Sequence, residues 1–267
     1  MRHYLSAFLF FASAWLICGC DAVPPPAKKP PVSQPAAKKP AASPTARDYN
    51  NSGTVYLREE KLDEAAAAYQ RAIAIKPTLV AAHHNLATVY VMQGKLGEAI
   101  KAYRRVIELR PDMASAYADL GRAYGFAGRL DEAIAEFEKA LTRDGTLVYA
   151  YYGIGVAYRH KRMFPEAIAA LEEAISLQPD FPDALMQLGT IYRETERLAE
   201  AIAAFTAIHQ LNPNHAQAHH ELGECYTQQG AYREAVAAFE RALQLAPDAD
   251  ETRNLLRVAR ARLARQK

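Results

Sequence analysis

The chain has 267 residues, half of them apolar, with 13 glycines and a single tryptophan; this length can bury a sizeable core, and the surplus of Ala, Glu and Arg over β-branched residues favours helices. The formal net charge of +2 conceals a partition: residues 48–249 carry 20 basic and 27 acidic side chains, a net of −7, while residues 250–267 hold +4 and those before 48 hold +5. A body at −7 lacks the continuous basic surface that nucleic-acid binding requires, and three cysteines, two of them Cys18 and Cys20, are too few for a disulfide framework or a four-thiolate zinc site.

Residues 1–19 read as a signal peptide. Arg2 supplies a basic start, and Leu5 to Ile17 is an apolar run of 13 residues, shorter than the roughly 20 that span a bilayer. The run ends in Leu16-Ile17-Cys18-Gly19-Cys20. This ending resembles the bacterial lipobox, in which a small residue precedes a cysteine that is diacylated on sulfur, although Ile17 and Cys18 depart from the usual Leu and Ala or Ser. The resemblance implies a lipid on Cys20 and a membrane-anchored protein at the periplasmic face. Asp21 resembles the retention signal of enterobacterial inner-membrane lipoproteins, which favours the inner membrane over the outer.

Residues 20–45 carry that cysteine and then a Pro, Ala and Lys tract with no aromatic residue and no apolar periodicity. Such a tract builds no core. Proline-rich chain extends at about 3.1 Å per residue, so a tether of this length holds a domain up to about 80 Å from its anchor. Lys28, Lys29, Lys38 and Lys39 are read as solvated linker charges.

From residue 46 to 249 one pattern recurs six times at a period of 34, in the blocks 46–79, 80–113, 114–147, 148–181, 182–215 and 216–249. Leu120-Gly121, Ile154-Gly155, Leu188-Gly189 and Leu222-Gly223 fall in register. So do Tyr56, Tyr90, Tyr124, Tyr158, Tyr192 and Tyr226, and likewise Ala65, Ala99, Ala133, Ala167, Ala201 and Ala235. Pro77, Pro111, Pro179, Pro213 and Pro247 close five of the six copies. This pattern resembles the tetratricopeptide repeat, a helical pair. The resemblance implies an all-α fold, a right-handed superhelix of six helix pairs with a concave groove lined by the first helix of each pair. Ser52, Gly145 and Ile208 depart from it, standing where a core Leu, a proline and a small residue are usual.

The residues give physical reasons for the same fold. Gly121 and Ala133 let two helices approach closely while Tyr124 and Phe137 fill the space beside them. Gly94 and Gly128 stand where the first helix of a pair must stop. Residues 250–267 predict a capping helix, with Leu255, Leu256, Ala259 and Leu263 on its apolar stripe and Arg253, Arg257, Arg260 and Arg262 outward.

The chain holds no P-loop, HExxH or GxSxG motif, so neither a catalytic site nor a cofactor is expected. His83 and His219 share a column with Tyr117 and Tyr151, which reads as packing and not as a metal site. Cys225 is expected to be buried.

Function is expected in the groove, where residues two, five, nine, twelve and thirteen places into each repeat point inward. Arg122, Phe126, Tyr149, Tyr152, Arg159, His160, Met186 and Arg193 are the candidate binding residues, since Tyr, Phe, Met and Arg carry most interface energy. Tyr152 and Phe126 are expected as exposed apolar anchors, and Arg122, Arg159 and Arg193 as partners for acidic groups on a protein or peptide ligand. The Lys clamp of chaperone-tail binders is missing, because its column reads Asn50, His84, Ala118, Tyr152, Met186 and His220. The expectation is a lipid-anchored scaffold or assembly factor. Its layout is similar to pilotin-type lipoproteins of type IV pilus assembly and to lipoprotein adaptors of cell-wall hydrolases. The alternative is a subunit of an envelope enzyme complex.

Overall fold

A computed structural model of the chain describes residues 43–266. The signal run, Cys20, Asp21 and the tether up to residue 42 lie outside the described residues. Within them the secondary structure is thirteen α-helices and no strand. The chain divides after Asp112 into two compact units.

The first unit contains α1 (Ala46–Arg58), α2 (Leu62–Ile75), α3 (Val80–Met92) and α4 (Leu96–Leu109). Thr45 starts α1 with a reciprocal cap: the Asp48 backbone N–H donates to Thr45 Oγ1 at 3.3 Å and the Thr45 N–H donates to Asp48 Oδ2 at 2.8 Å. The Thr45 hydroxyl also donates to Asp48 Oδ2 at 2.7 Å, and the backbone and then the hydroxyl of Thr45 hold that carboxyl below its ordinary value. The apolar centre is Ala65, Ala66, Tyr69, Leu86 and Val89, joined by Leu57, Leu62, Ile73 and Tyr90. Ser52 is exposed and its hydroxyl donates to the Asp48 carbonyl, so a polar side chain suits that position.

The second unit contains α5 (Ala114–Phe126), α6 (Leu130–Arg143), α7 (Val148–His160), α8 (Phe164–Leu177), α9 (Pro182–Glu194), α10 (Leu198–Leu211), α11 (Ala216–Gln229), α12 (Tyr232–Leu245) and α13 (Asp250–Arg265). Each helix packs on the next, and α5, α7, α9 and α11 also touch one another in succession, so the first helices of the pairs form one continuous face. Phe239 is fully buried between Ala235 and the Leu256 and Ala259 of α13, which closes the end of the stack. Packing there is close: a Cβ added to Gly223 would stand 2.5 Å from the Phe239 ring.

The second helix of each pair starts without a side-chain cap, at Lys61, Lys95, Arg129, Met163, Arg197 and Ala231. Acidic residues in the first turn, such as Asp131 and Glu132 in α6, favour the helix dipole instead. The turn before it needs a left-handed residue. Gly94 and Gly128 supply it at φ +71° and +72°, but Glu60, Arg162 and Glu196 occupy the same conformation at φ 59°, 58° and 60°. At the other end, proline forces the preceding residue out of helical geometry. Gly145 breaks that rule without changing the outcome. Asp144 still ends α6 in an extended conformation, and its carboxylate accepts from the Thr146 N–H at 3.0 Å and hydroxyl at 2.7 Å. Ile208, where a small residue is usual, is fully buried.

Candidate functional site

In the first unit, Asn50 Oδ1 accepts from Asn85 Nδ2 at 3.3 Å and His84 meets the Tyr103 ring edge-on at 5.7 Å. The groups singled out from the sequence concentrate in the second unit, on α5, α7, α9 and α11. There the residue six places into each repeat, which was not among the inward positions assigned from the sequence, completes the site.

Tyr152 departs from expectation. It is 8% exposed, its ring lies 5.2 Å from the Phe181 ring, and its hydroxyl is hydrogen-bonded by the Gln187 side chain. Burial and then the charge of Asp183 push its phenol well above the ordinary value. Tyr152 is therefore a packing residue and not an exposed anchor. The cause is Phe181, itself 4% exposed, which also meets the Tyr149 ring edge-on at 5.5 Å. Tyr149, Phe126 and Met186 remain half-buried and keep accessible surface.

The three arginines also differ from expectation, because each already has a carboxylate. Arg122 Nη2 donates to Asp119 Oδ1 at 2.6 Å. Arg159 Nη1 lies 3.8 Å from Glu194 Oε1, an ion pair too long for a hydrogen bond. Arg193 reaches two acids on the next repeat, Glu224 Oε2 at 2.8 Å and Glu221 Oε2 at 3.2 Å. The pairings differ in geometry: Arg122 and Asp119 lie one turn apart on α5, whereas position twelve of one repeat reaches the following repeat, at position thirteen for Arg159 and at positions six and nine for Arg193. Three guanidiniums share this face with Asp119, Asp183, Glu194, Glu221 and Glu224, so it is net acidic and not basic.

The arrangement is incompletely satisfied. Among the described residues, six buried side-chain polar atoms lack a hydrogen bond. Four belong to this face: Arg159 Nε, Gln187 Oε1, Arg193 Nε and Glu221 Oε2. Glu221 Oε2 lies within ion-pair distance of Arg193 but is not aligned for a hydrogen bond. A buried polar group left without a hydrogen bond costs about 1–3 kcal/mol. Asp183 is exposed to solvent yet flanked by enough protein that burial pushes its carboxyl up, with His215 opposing. A side chain on a concave wall has this combination. At the end of α7, burial and then Arg159 hold the His160 imidazole below its ordinary value.

Other reactive side chains are accounted for by packing. His83 Nε2 and His219 Nε2 bond the carbonyls of Pro77 and Pro213 at 2.9 and 3.2 Å. His220 Nδ1 bonds Thr252 Oγ1 at 2.8 Å. Cys225 is fully buried, and that burial pushes its thiol up to about 12. Among the described residues no group of three or more His, Cys, Asp or Glu is placed to hold a metal, and no helix is long and apolar enough to cross a membrane.

Residues 78–267 match the family described as the cilia and flagella-associated protein 70 C-terminal domain, whose model is of the TPR type, and residues 53–94 match the TPR repeat. The chain belongs to the tetratricopeptide repeat family. Several solved structures share its fold. The crystal structure of PilW, a widely conserved type IV pilus biogenesis factor, superposes with a TM-score of 0.71 at 21% identity, over 79% of this chain and 98% of that one. YrrB, a TPR protein with an unusual peptide-binding site, gives a TM-score of 0.55 at 26% identity over 71% of this chain and 97% of that one. The Cut9–Hcn1 hetero-tetramer of the APC/C gives 0.67 at 21% identity over 80% of this chain, which spans only 43% of the chain it matches. No curated protein matches the chain in sequence.

Proposed function

We propose that this tetratricopeptide repeat protein is a non-catalytic scaffold that binds a segment of another protein along the concave face of α7, α9 and α11. The observation that carries this reading is the concentration on that face of four buried polar atoms without a hydrogen bond, on the same wall as the accessible surface of Tyr149 and Met186. A stack made for stability alone has no use for them, since an apolar or fully bonded face would be more stable. The peptide-binding site of YrrB, at 26% identity, supports the same reading by analogy. The lipobox-like ending at Cys20, followed by the proline-rich tract, adds that the scaffold is held to a membrane by a lipid on Cys20. It works from the periplasmic face, with Asp21 favouring the inner membrane.

Photocrosslinking in cells tests the binding face. A photoreactive phenylalanine analogue at Met186 is expected to give a defined adduct with one protein, and the same analogue at Glu173, exposed on α8, is expected to give none. Equal adducts from both positions, or an adduct from Glu173 alone, would move binding off the concave face.

A further inference from the structure

Charge is distributed unevenly along the repeats. Residues 113–249 carry 11 basic and 19 acidic side chains, a net of −8, whereas residues 43–112 carry 10 basic and 8 acidic ones. On the concave face of the second unit the imbalance can be assigned residue by residue. Asp119 is matched by Arg122 and Glu194 by Arg159, but Arg193 is shared by two acids, Glu221 and Glu224. Asp183, at the start of α9 and exposed, has no basic side chain in hydrogen-bond contact among the described residues, and His215 acts on its carboxyl from a distance. The face is thus left with two negative charges beyond its own guanidiniums.

Resting on the binding reading above, we infer that the occupant of this face is an extended, lysine- or arginine-bearing peptide segment. Its cationic side chains are received by Asp183 and by the Glu221 and Glu224 pair. Asp183 and Glu224 stand on successive first helices, α9 and α11, and Met186 follows Asp183 by one helical turn on the same face. A lysine side chain has a long aliphatic stem and a charged end. The stem lies along Met186 and Tyr149 while the ammonium reaches a carboxylate. The main chain of an extended ligand also carries the groups the face lacks, a carbonyl to accept from a guanidinium Nε–H and an N–H to donate to Gln187 Oε1. An acidic ligand would have to displace Glu194, Glu221 or Glu224 from the arginines they already hold, leaving those carboxylates unpaired.

The test uses the full chain and two fluorescein-labelled peptides of about twelve residues, one alternating Lys and Ala and the other Glu and Ala, followed by fluorescence anisotropy. The Lys-Ala peptide is expected to bind, more weakly as salt rises, and the Glu-Ala peptide is not. The double variant Asp183→Asn, Glu224→Gln is expected to weaken Lys-Ala binding about tenfold. The double variant Asp131→Asn, Glu166→Gln, with the same charge change away from the face, is expected to change it less than about twofold. Equal weakening by both double variants would overturn the inference, and so would failure of the Lys-Ala peptide to bind. Binding of the Glu-Ala peptide instead, lost on Arg159→Gln, would overturn the ligand's charge but leave the concave face as the binding surface. Indifference of every bound peptide to groove substitutions would remove the face itself.

Discussion

Glu224 on α11 lies 2.8 Å from the guanidinium of Arg193 on α9, so the first helices of two successive repeats are tied by charge as well as by apolar contact. Both side chains are about three-quarters buried, and Glu221 is more so. Arg193→Ala would leave two partly buried carboxylates side by side. It is expected to lower stability by about 1–3 kcal/mol in urea denaturation, whereas Glu224→Gln, which leaves Glu221 in place, costs less. Equal losses for the two variants would show that the shared arginine has no special role.

Close packing at the closed end predicts a second result. Phe239 is fully buried and sits where a Gly223 Cβ would project. The ring has no free space to move into, since Leu256 and Ala259 press on it from α13. Gly223→Ala is therefore expected to destabilise the second unit by about 1–3 kcal/mol despite alanine's better helix propensity. A gain in stability would mean that α12 and α13 yield easily.

The left-handed turn residues give a prediction of opposite sign. Glu196 has φ 60° and is exposed, and a side chain in that conformation costs about 1 kcal/mol relative to glycine. Gly94 and Gly128 already show that glycine suits the equivalent turn. Glu196→Gly is expected to raise the unfolding free energy by about 0.5–1 kcal/mol. A loss of that size would show the turn to be unstrained.

Stability should fall in mild acid through His219. Burial holds its imidazole below the ordinary 6.5, against the pull of the Pro213 carbonyl, and His209, Arg241 and His215 add positive potential. The unfolded chain then takes up the proton first. The contribution is complete above pH 6.5, declines as pH falls through that value toward the lower folded one, and is constant below it. His160 acts in the same direction. His219→Tyr, which places at this column the residue found at Tyr117 and Tyr151, is expected to reduce the fall in Tm between neutral pH and about pH 5.5. Parallel pH profiles for the variant and the parent would assign the acid sensitivity elsewhere.

The helix pairs were legible in the sequence because each repeats the same physical solution at a fixed interval. Small residues such as Gly223 sit at helix crossings, a ring such as Phe239 fills the gap, and proline stops the second helix. The candidate site was legible only in part. Periodicity places Arg193 and Tyr152 on the first helices and toward the groove, but it does not show what stands opposite. Glu221 is one column away from the expected inward set, and its pairing with Arg193 appears only when successive repeats are stacked. Phe181 hides Tyr152 for a similar reason. It occupies the last position of its repeat, where Leu79, Met113 and Leu147 stand in other copies, and a larger ring there covers the neighbouring first helix. A clue was available in column six, which reads Asn51, Asn85, Asp119, Gly153, Gln187 and Glu221. A polar column next to an apolar stripe marks the wall of a groove.

The most direct test of the binding face is a calorimetric titration of the protein captured at Met186 against the full chain and its double variant Tyr149→Ala, Met186→Ala. Both side chains are half-buried on the concave face, and truncating interface anchors of this kind typically costs about 1–3 kcal/mol. The account predicts a Kd raised about tenfold or more with a Tm close to that of the parent. An unchanged Kd in a folded double variant would contradict it.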